Sequence, residues 1–250
     1  MVRVSKGKSA KYVPVKQSNT MTYVLGGIAV IVVIVVVIGG VLLMSKKEGT
    51  PADQVTTKLN DATPAFVLGR SDAPNTLDFF EDPMCPACGT MERTYGEQIT
   101  KGIEDGKIKV RYHLVSFLNR QSASGDFSDR AGGALLAIAK SSLPDEQKQK
   151  AWLGAHTALF ANQPEEGGST DHSNADLARI LGEGAKAKGA ELPADTTTAI
   201  TEGKFTVESA QNAGSASTLM QSIGATGTPT VVHNGELITV QGDWLAPILG

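Results

Sequence analysis

From Leu25 to Met44 the chain carries no charged or polar side chain, and from Ile31 to Ile38 it contains only Ile and Val. About 20 apolar residues is the length at which one helix crosses the hydrocarbon of a bilayer with every backbone group bonded internally. A buried strand does not account for it, because strands in globular domains average about 5–6 residues. The run predicts a single transmembrane helix over residues 22–44. Arg3, Lys6, Lys8, Lys11 and Lys16 precede it without an acid, whereas Lys46 and Lys47 are followed by Glu48. That asymmetry predicts a cytoplasmic basic segment, 1–21, and an extracytoplasmic remainder at the cell membrane. A cleaved secretory signal would have a shorter apolar region and a small-x-small site, and Leu43-Met44-Ser45-Lys46-Lys47 offers none. Residues 45–61, with Gly49, Pro51 and Asp53, read as a polar linker.

Without the five leading charges, 18 basic side chains face 26 acidic ones. A domain of that sign repels phosphate backbones, so nucleic acid is not an expected partner. The chain has two cysteines, Cys85 and Cys88, which excludes a zinc-ribbon array and a disulfide-dense scaffold.

The exported part opens with a strand-like Thr76-Leu77-Asp78-Phe79-Phe80, runs through Glu81, Asp82 and Pro83, and reaches Cys85-Pro86-Ala87-Cys88. A helix opening near Cys85 follows, with Pro86 in its first turn, where a missing N–H costs nothing. Ile108 to Val115 alternates with period two and reads as a second strand. Between Phe127 and Lys204, Ala- and Leu-rich segments broken by Pro144, Pro164, Gly167-Gly168 and Pro193 predict three or four helices. A helix over 207–223 then leads to Gly227-Thr228-Pro229 and a hairpin turning at Asn234-Gly235.

Four readings of Cys85 and Cys88 compete. A structural zinc site needs four ligands, and His113, His156, His172 and His233 are too scattered to complete one, so no metal is expected. His113 and His233 read as ordinary strand residues. An inert disulfide gains little from closing so short a loop. A redox pair fits best: a helix N-terminus favours thiolate at Cys85, and Cys88, three residues on, shares its face and can attack a mixed disulfide formed there. A binding or chaperone module with an incidental disulfide is the remaining reading.

Taken together, the strand, Cys85-Pro86-Ala87-Cys88, the helical block and Thr228-Pro229 before a terminal hairpin resemble the membrane-anchored, DsbA-like thioredoxin-fold oxidoreductases. The resemblance implies an α/β thioredoxin-like core over 62–120 and 205–250, interrupted by a helical insertion over 121–204. It implies catalytic Cys85 and Cys88, a cis Pro229, and substrate contacts from Thr228, Pro229, Pro86 and Ala87. No cofactor is needed, since the two sulfurs carry the electrons. The implied partners are exported proteins with free thiols and a membrane redox partner that reoxidises the pair. The family's buried acid is left among Asp78, Glu81 and Asp82. Ala87 stands where strongly oxidising relatives have histidine, and Thr228 is shared with isomerases and reductases, so oxidase and isomerase or reductase directions both stay open. Glu81 and Asp82 would oppose ionisation of Cys85 if they lay near it.

Overall fold

Alternation along Asn75–Glu81 decides which side chains face which layer. The computed structural model describes residues 50–250, so the basic segment 1–21 and the predicted span 22–44 lie outside the described residues. Among the described residues no helix is long and apolar enough to cross a membrane.

In chain order the elements are α1 (Ala52–Asp61), β1 (Phe66–Leu68), β2 (Asn75–Glu81), α2 (Pro86–Glu104) and β3 (Ile108–Leu114). Four helices follow: α3 (Phe127–Ala139), α4 (Asp145–Ala161), α5 (Asn174–Ala187) and α6 (Ala194–Thr201). The long α7 (Thr206–Ser222) leads into β4 (Thr230–His233), β5 (Glu236–Ile238) and the short α8 (Ala246–Leu249). The strands lie in the order β1-β3-β2-β4-β5. β2 runs parallel to β3, with α2 as the crossover between them, and the other pairings are antiparallel. The three residues of β1 carry too little alternation to be read from sequence.

Period two places Leu77 and Phe79 of β2, Val110 and Tyr112 of β3, and Val231 of β4 in the larger core, with Met91 and Ile99 of α2 and Trp152 and Leu159 of α4. The opposite face carries Phe80 and Val232, which pack with Val55 and Leu59 of α1 and with Met220 and Ile223 at the end of α7. Residues 52–61 therefore differ from the polar linker expected of them. Val55 and Leu59, one turn apart, are each at most 2% exposed and fasten α1 to the sheet, while Asp53 and Lys58 complement the helix dipole at its two ends.

α4 and α5 cross where Gly154 meets Gly184. A Cβ on either glycine would overlap the other's carbonyl oxygen, so the two backbones touch without intervening side chains. Gly154→Ala must push the helices apart, and we expect a loss of about 1–3 kcal/mol, read as a lower midpoint of urea unfolding; an unchanged midpoint would show that the crossing yields freely.

Candidate active site

The end of β2, the start of α2 and the turn before β4 meet at the two cysteines. Cys85 is the N-cap of α2 in extended conformation, Pro86 occupies the first helical position, and Cys88 is buried one turn in. Both cysteines are free thiols. Pro86 and Ala87 are exposed beside them. The Thr228-Pro229 peptide is cis, and the Cys85 Sγ lies 3.4 Å from the Thr228 carbonyl oxygen. The six residues singled out from sequence thus share one place. A groove of about 490 Å³ runs from it, lined by Ala87, Met91, Tyr95, Pro229 and Val240 among others.

The two thiols are electrostatically unlike. A hydrogen bond from the Cys88 thiol pulls Cys85 down to about 6 against the opposing effect of burial, helped by Thr228 and by the backbone N–H groups of Cys88 and Ala87. Burial pushes Cys88 well above the ordinary thiol value, and the hydrogen bond to Cys85 and the charge of Glu81 push the same way. At neutral pH the pair carries one thiolate on Cys85 and one proton on Cys88.

Each of the three acids of the incoming strand is buried, and each has a different post. Asp78 faces the α1 side, where Arg111 Nη2 donates to its Oδ2 at 2.7 Å and His113 Nε2 lies 2.8 Å from its Oδ1. Asp82 accepts from the Met84 N–H at 3.0 Å, the Leu118 N–H at 3.0 Å and the Ser128 hydroxyl at 2.6 Å. Its own carbonyl accepts the Cys85 N–H at 2.9 Å. Glu81 shares parity with Leu77 and Phe79, faces α2 and α4, and is the acid whose charge reaches Cys88.

Residues of the helical block close the site. Phe160 of α4, together with Leu118, packs on Cys85 and Cys88. Just beyond α4, the Gln163 amide donates to the carbonyls of Pro83 at 2.9 Å and Cys85 at 3.0 Å. Gly89 admits it, because a Cβ there would collide with Gln163 Oε1. Behind Phe160, His156 Nε2 lies 2.8 Å from Glu81 Oε2, and its Nδ1 faces Glu92 Oε2 at 3.6 Å, an ion-pair distance longer than a hydrogen bond. Glu92 also accepts from the Thr157 hydroxyl at 2.7 Å. His156, Gln163 and Glu92 were not singled out from sequence. The available signals were helical spacings: Glu92 one turn after Cys88, and His156 midway between Trp152 and Phe160.

A family model described as Thioredoxin matches residues 61–244. The serine/threonine-protein kinase PknE of Mycobacterium tuberculosis is 34% identical over 203 residues, which cover 80% of this chain and 33% of the kinase; the chain spans about a third of the length of the curated relatives it matches. Solved structures of thiol-disulfide oxidoreductases are similar. The reduced disulfide bond oxidoreductase DsbG of Mycobacterium tuberculosis superimposes with a TM-score of 0.59 and 26% identity, covering 76% of this chain and 89% of that one. Reduced DsbA of the same organism gives 0.57 and 26%, covering 73% and 89%. The thiol-disulfide oxidoreductase MdbA of Corynebacterium diphtheriae gives 0.55 and 25%, covering 73% and 86%.

We expect thiolate absorbance at 240 nm in the reduced protein to rise with a midpoint near about 6. In Cys88→Ala, which removes the largest of the influences lowering Cys85, the midpoint should move upward; a midpoint that stays put would mean that the helix terminus alone ionises Cys85.

Proposed function

This chain belongs to the thioredoxin family, and from that premise we propose that it is a DsbA-like thiol-disulfide oxidoreductase that oxidises paired thiols of exported proteins outside the cytoplasm while residues 22–44 hold it to the membrane. In this reading residues 62–120 and 205–250 form the catalytic core, 121–204 are inserted into it, and a membrane redox partner returns the reduced pair to the disulfide.

The observation that supports exchange chemistry is the split between the thiols, with Cys85 at about 6 and Cys88 above the ordinary range. A substrate thiolate attacks the Cys85 sulfur of the Cys85–Cys88 disulfide, forming a mixed disulfide and expelling Cys88, which takes up a proton. The second substrate thiolate attacks the substrate sulfur of the mixed disulfide and expels Cys85. Two electrons pass from the substrate thiols to the cysteine pair. One thiol proton ends on Cys88 and the other in solvent, because Cys85 leaves as the thiolate. A leaving thiol of low pKa departs faster, and a stabilised reduced form makes the disulfide a stronger oxidant. Glu81, buried and held up by desolvation with only partial relief from His156, is the acid whose charge reaches Cys88, and in this reading it exchanges a proton with it. Thr228, through its carbonyl beside Cys85, and Pro229, Pro86 and Ala87 around the groove, supply the surface on which an extended substrate docks.

Ionisation divides the work between the cysteines: in Cys88→Ala the Cys85 thiolate can open a disulfide of an exported protein, expelling one substrate thiolate, but no Cys88 thiol remains to release the mixed disulfide, so that variant should accumulate mixed disulfides and Cys85→Ala should accumulate none. Equal trapping by both variants would refute the assignment and favour a binding module whose cysteines are incidental. The reduction potential measured against glutathione separates the directions: an oxidase lies towards about −120 mV and a reductase towards about −270 mV.

Proton linkage adds a stability signature. Cys85 is depressed in the folded reduced state, so the stabilisation it gives is complete above the ordinary thiol value and is lost as pH falls through about 6. The melting temperature of the reduced form should therefore gain on that of the disulfide form as pH rises from 6 towards 9. A constant difference across that window would contradict the ionised Cys85.

A further inference from the structure

Behind the cysteines lies a cluster that the exchange steps do not by themselves require. His156 is fully buried on α4, between Glu81 of β2 and Glu92 of α2, with Nε2 at 2.8 Å and Nδ1 at 3.6 Å from their carboxylates. Its ring belongs to a column along α4. It stacks on Trp152 at 5.0 Å and meets Phe160 edge-on at 4.8 Å, the spacing of residues four apart on one helix face. Tyr112 of β3 closes the side at 4.7 Å. Phe160 is the member of the column that touches the cysteines. One oxygen of Glu81, Oε1, is buried without a hydrogen-bond partner among the described residues.

Two carboxylates inside one apolar column cannot both stay ionised without a cation, because burial and their mutual repulsion both favour the neutral acid. The ring between them supplies that charge. Burial alone would lower His156, but Glu81 and Glu92 outweigh it and raise it to about 10, which favours the imidazolium, while burial keeps Glu81 above the ordinary carboxyl range despite the ring beside it. Glu92 is held below the ordinary carboxyl range against burial by His156 and Thr157, with a contribution from Lys188 just past α5. Of the other titratable groups facing the cluster, Tyr112 is kept neutral by burial and Cys88 is the reacting thiol.

We propose that His156 is a positioning residue of the thiol-exchange reaction: seated on the helical block between Glu81 and Glu92, it opposes the effect of burial on Glu81 and draws that acid towards the ionised form that takes the proton from Cys88, and so sets the pH at which Cys88 can act. The inference rests on the exchange activity proposed above. The step concerned balances internally. It is the return of the pair to the disulfide: the Cys88 thiol gives its proton to Glu81, the Cys88 sulfur attacks Cys85 in the mixed disulfide formed with the reoxidising partner, the Cys85–Cys88 bond forms, and the partner sulfur leaves as a thiolate and takes a proton from water. Since α4 carries both the imidazolium and the Phe160 lid, this step depends on how the helical block is seated against the sheet.

The test uses the full-length protein carrying a cysteine-containing peptide as a mixed disulfide on Cys85, with single-turnover release of the peptide followed against pH. His156→Phe keeps a ring in the column and removes the charge, and should move the acid limb of the profile upward by about 1–3 pH units, the range for loss of an opposite charge at this distance. His156→Lys should bring the limb back towards that of the unsubstituted protein, and His156→Phe should add no shift in a Glu81→Gln background. A limb left in place by His156→Phe overturns the role, as a purely packing function predicts. Nitrogen chemical shifts of the His156 ring in the unsubstituted protein provide a check that needs no variant: an imidazolium persisting through pH 9 supports the role, and a neutral ring at pH 7 overturns it. If the unsubstituted protein releases peptide no faster than Cys88→Ala, the exchange reading itself falls; release with an unmoved limb removes only His156.

Discussion

One buried carboxylate holds the active-site turn in shape. Asp82 accepts from two backbone N–H groups and one hydroxyl, in three different segments: the cysteine turn, the loop after β3 and the first turn of α3. Its main-chain oxygen then receives the Cys85 N–H. A carboxylate can accept about four such bonds, so Asp82 is nearly saturated. Loss of the carboxylate would strand several buried donors at once, at on the order of 1–3 kcal/mol each. From this knot follow the extended conformation of Cys85, the start of α2 at Pro86, and the approach of Leu118 to the sulfurs.

Beyond the knot, the chemistry depends on keeping two neighbouring sulfurs in different ionisation states. Hydrogen bonds from Cys88, from Thr228 and from the backbone at the helix end serve Cys85 against burial, while desolvation and a nearby carboxylate serve Cys88. One hydrogen bond between them shifts both, in opposite directions. This asymmetry comes from the first turn of the helix: Cys85 caps it beside Thr228, and Cys88, one turn in, is wholly buried, with Phe160 packed on both. The sequence Cys-Pro-Ala-Cys enforces it, since Pro86 suits the first turn of α2 and nothing in the motif competes with helix from there on.

Much of this was legible in the residues. Alternation gave β2 and β3, breakers gave the helical block, Asn234-Gly235 gave the hairpin turn, and the two cysteines and Thr228-Pro229, apart in sequence, are residues that the fold brings together. What stayed hidden was contact between distant segments. Asp78, Glu81 and Asp82 are equivalent as letters, and only the knowledge of which sheet face receives α2 distinguishes Glu81 from Asp78. His156 looked like one residue in an Ala-rich helix, and its partners lie 75 and 64 positions away in sequence. The polar composition of residues 45–61 concealed α1 because two apolar side chains, Val55 and Leu59, suffice to seat ten residues.

The glycine crossing of α4 and α5 changes what a lesion in this protein can look like. Gly154 sits two residues before His156 on the helix that also carries Phe160, and it is held against Gly184 by backbone contact. A methyl group there touches no cysteine, yet it displaces the helix that lids the sulfurs and carries the cation behind them. Damage to packing at that point would be recorded as an altered electron-transfer phenotype in a protein whose redox motif is intact, so a variant survey confined to the motif would assign it to the wrong cause.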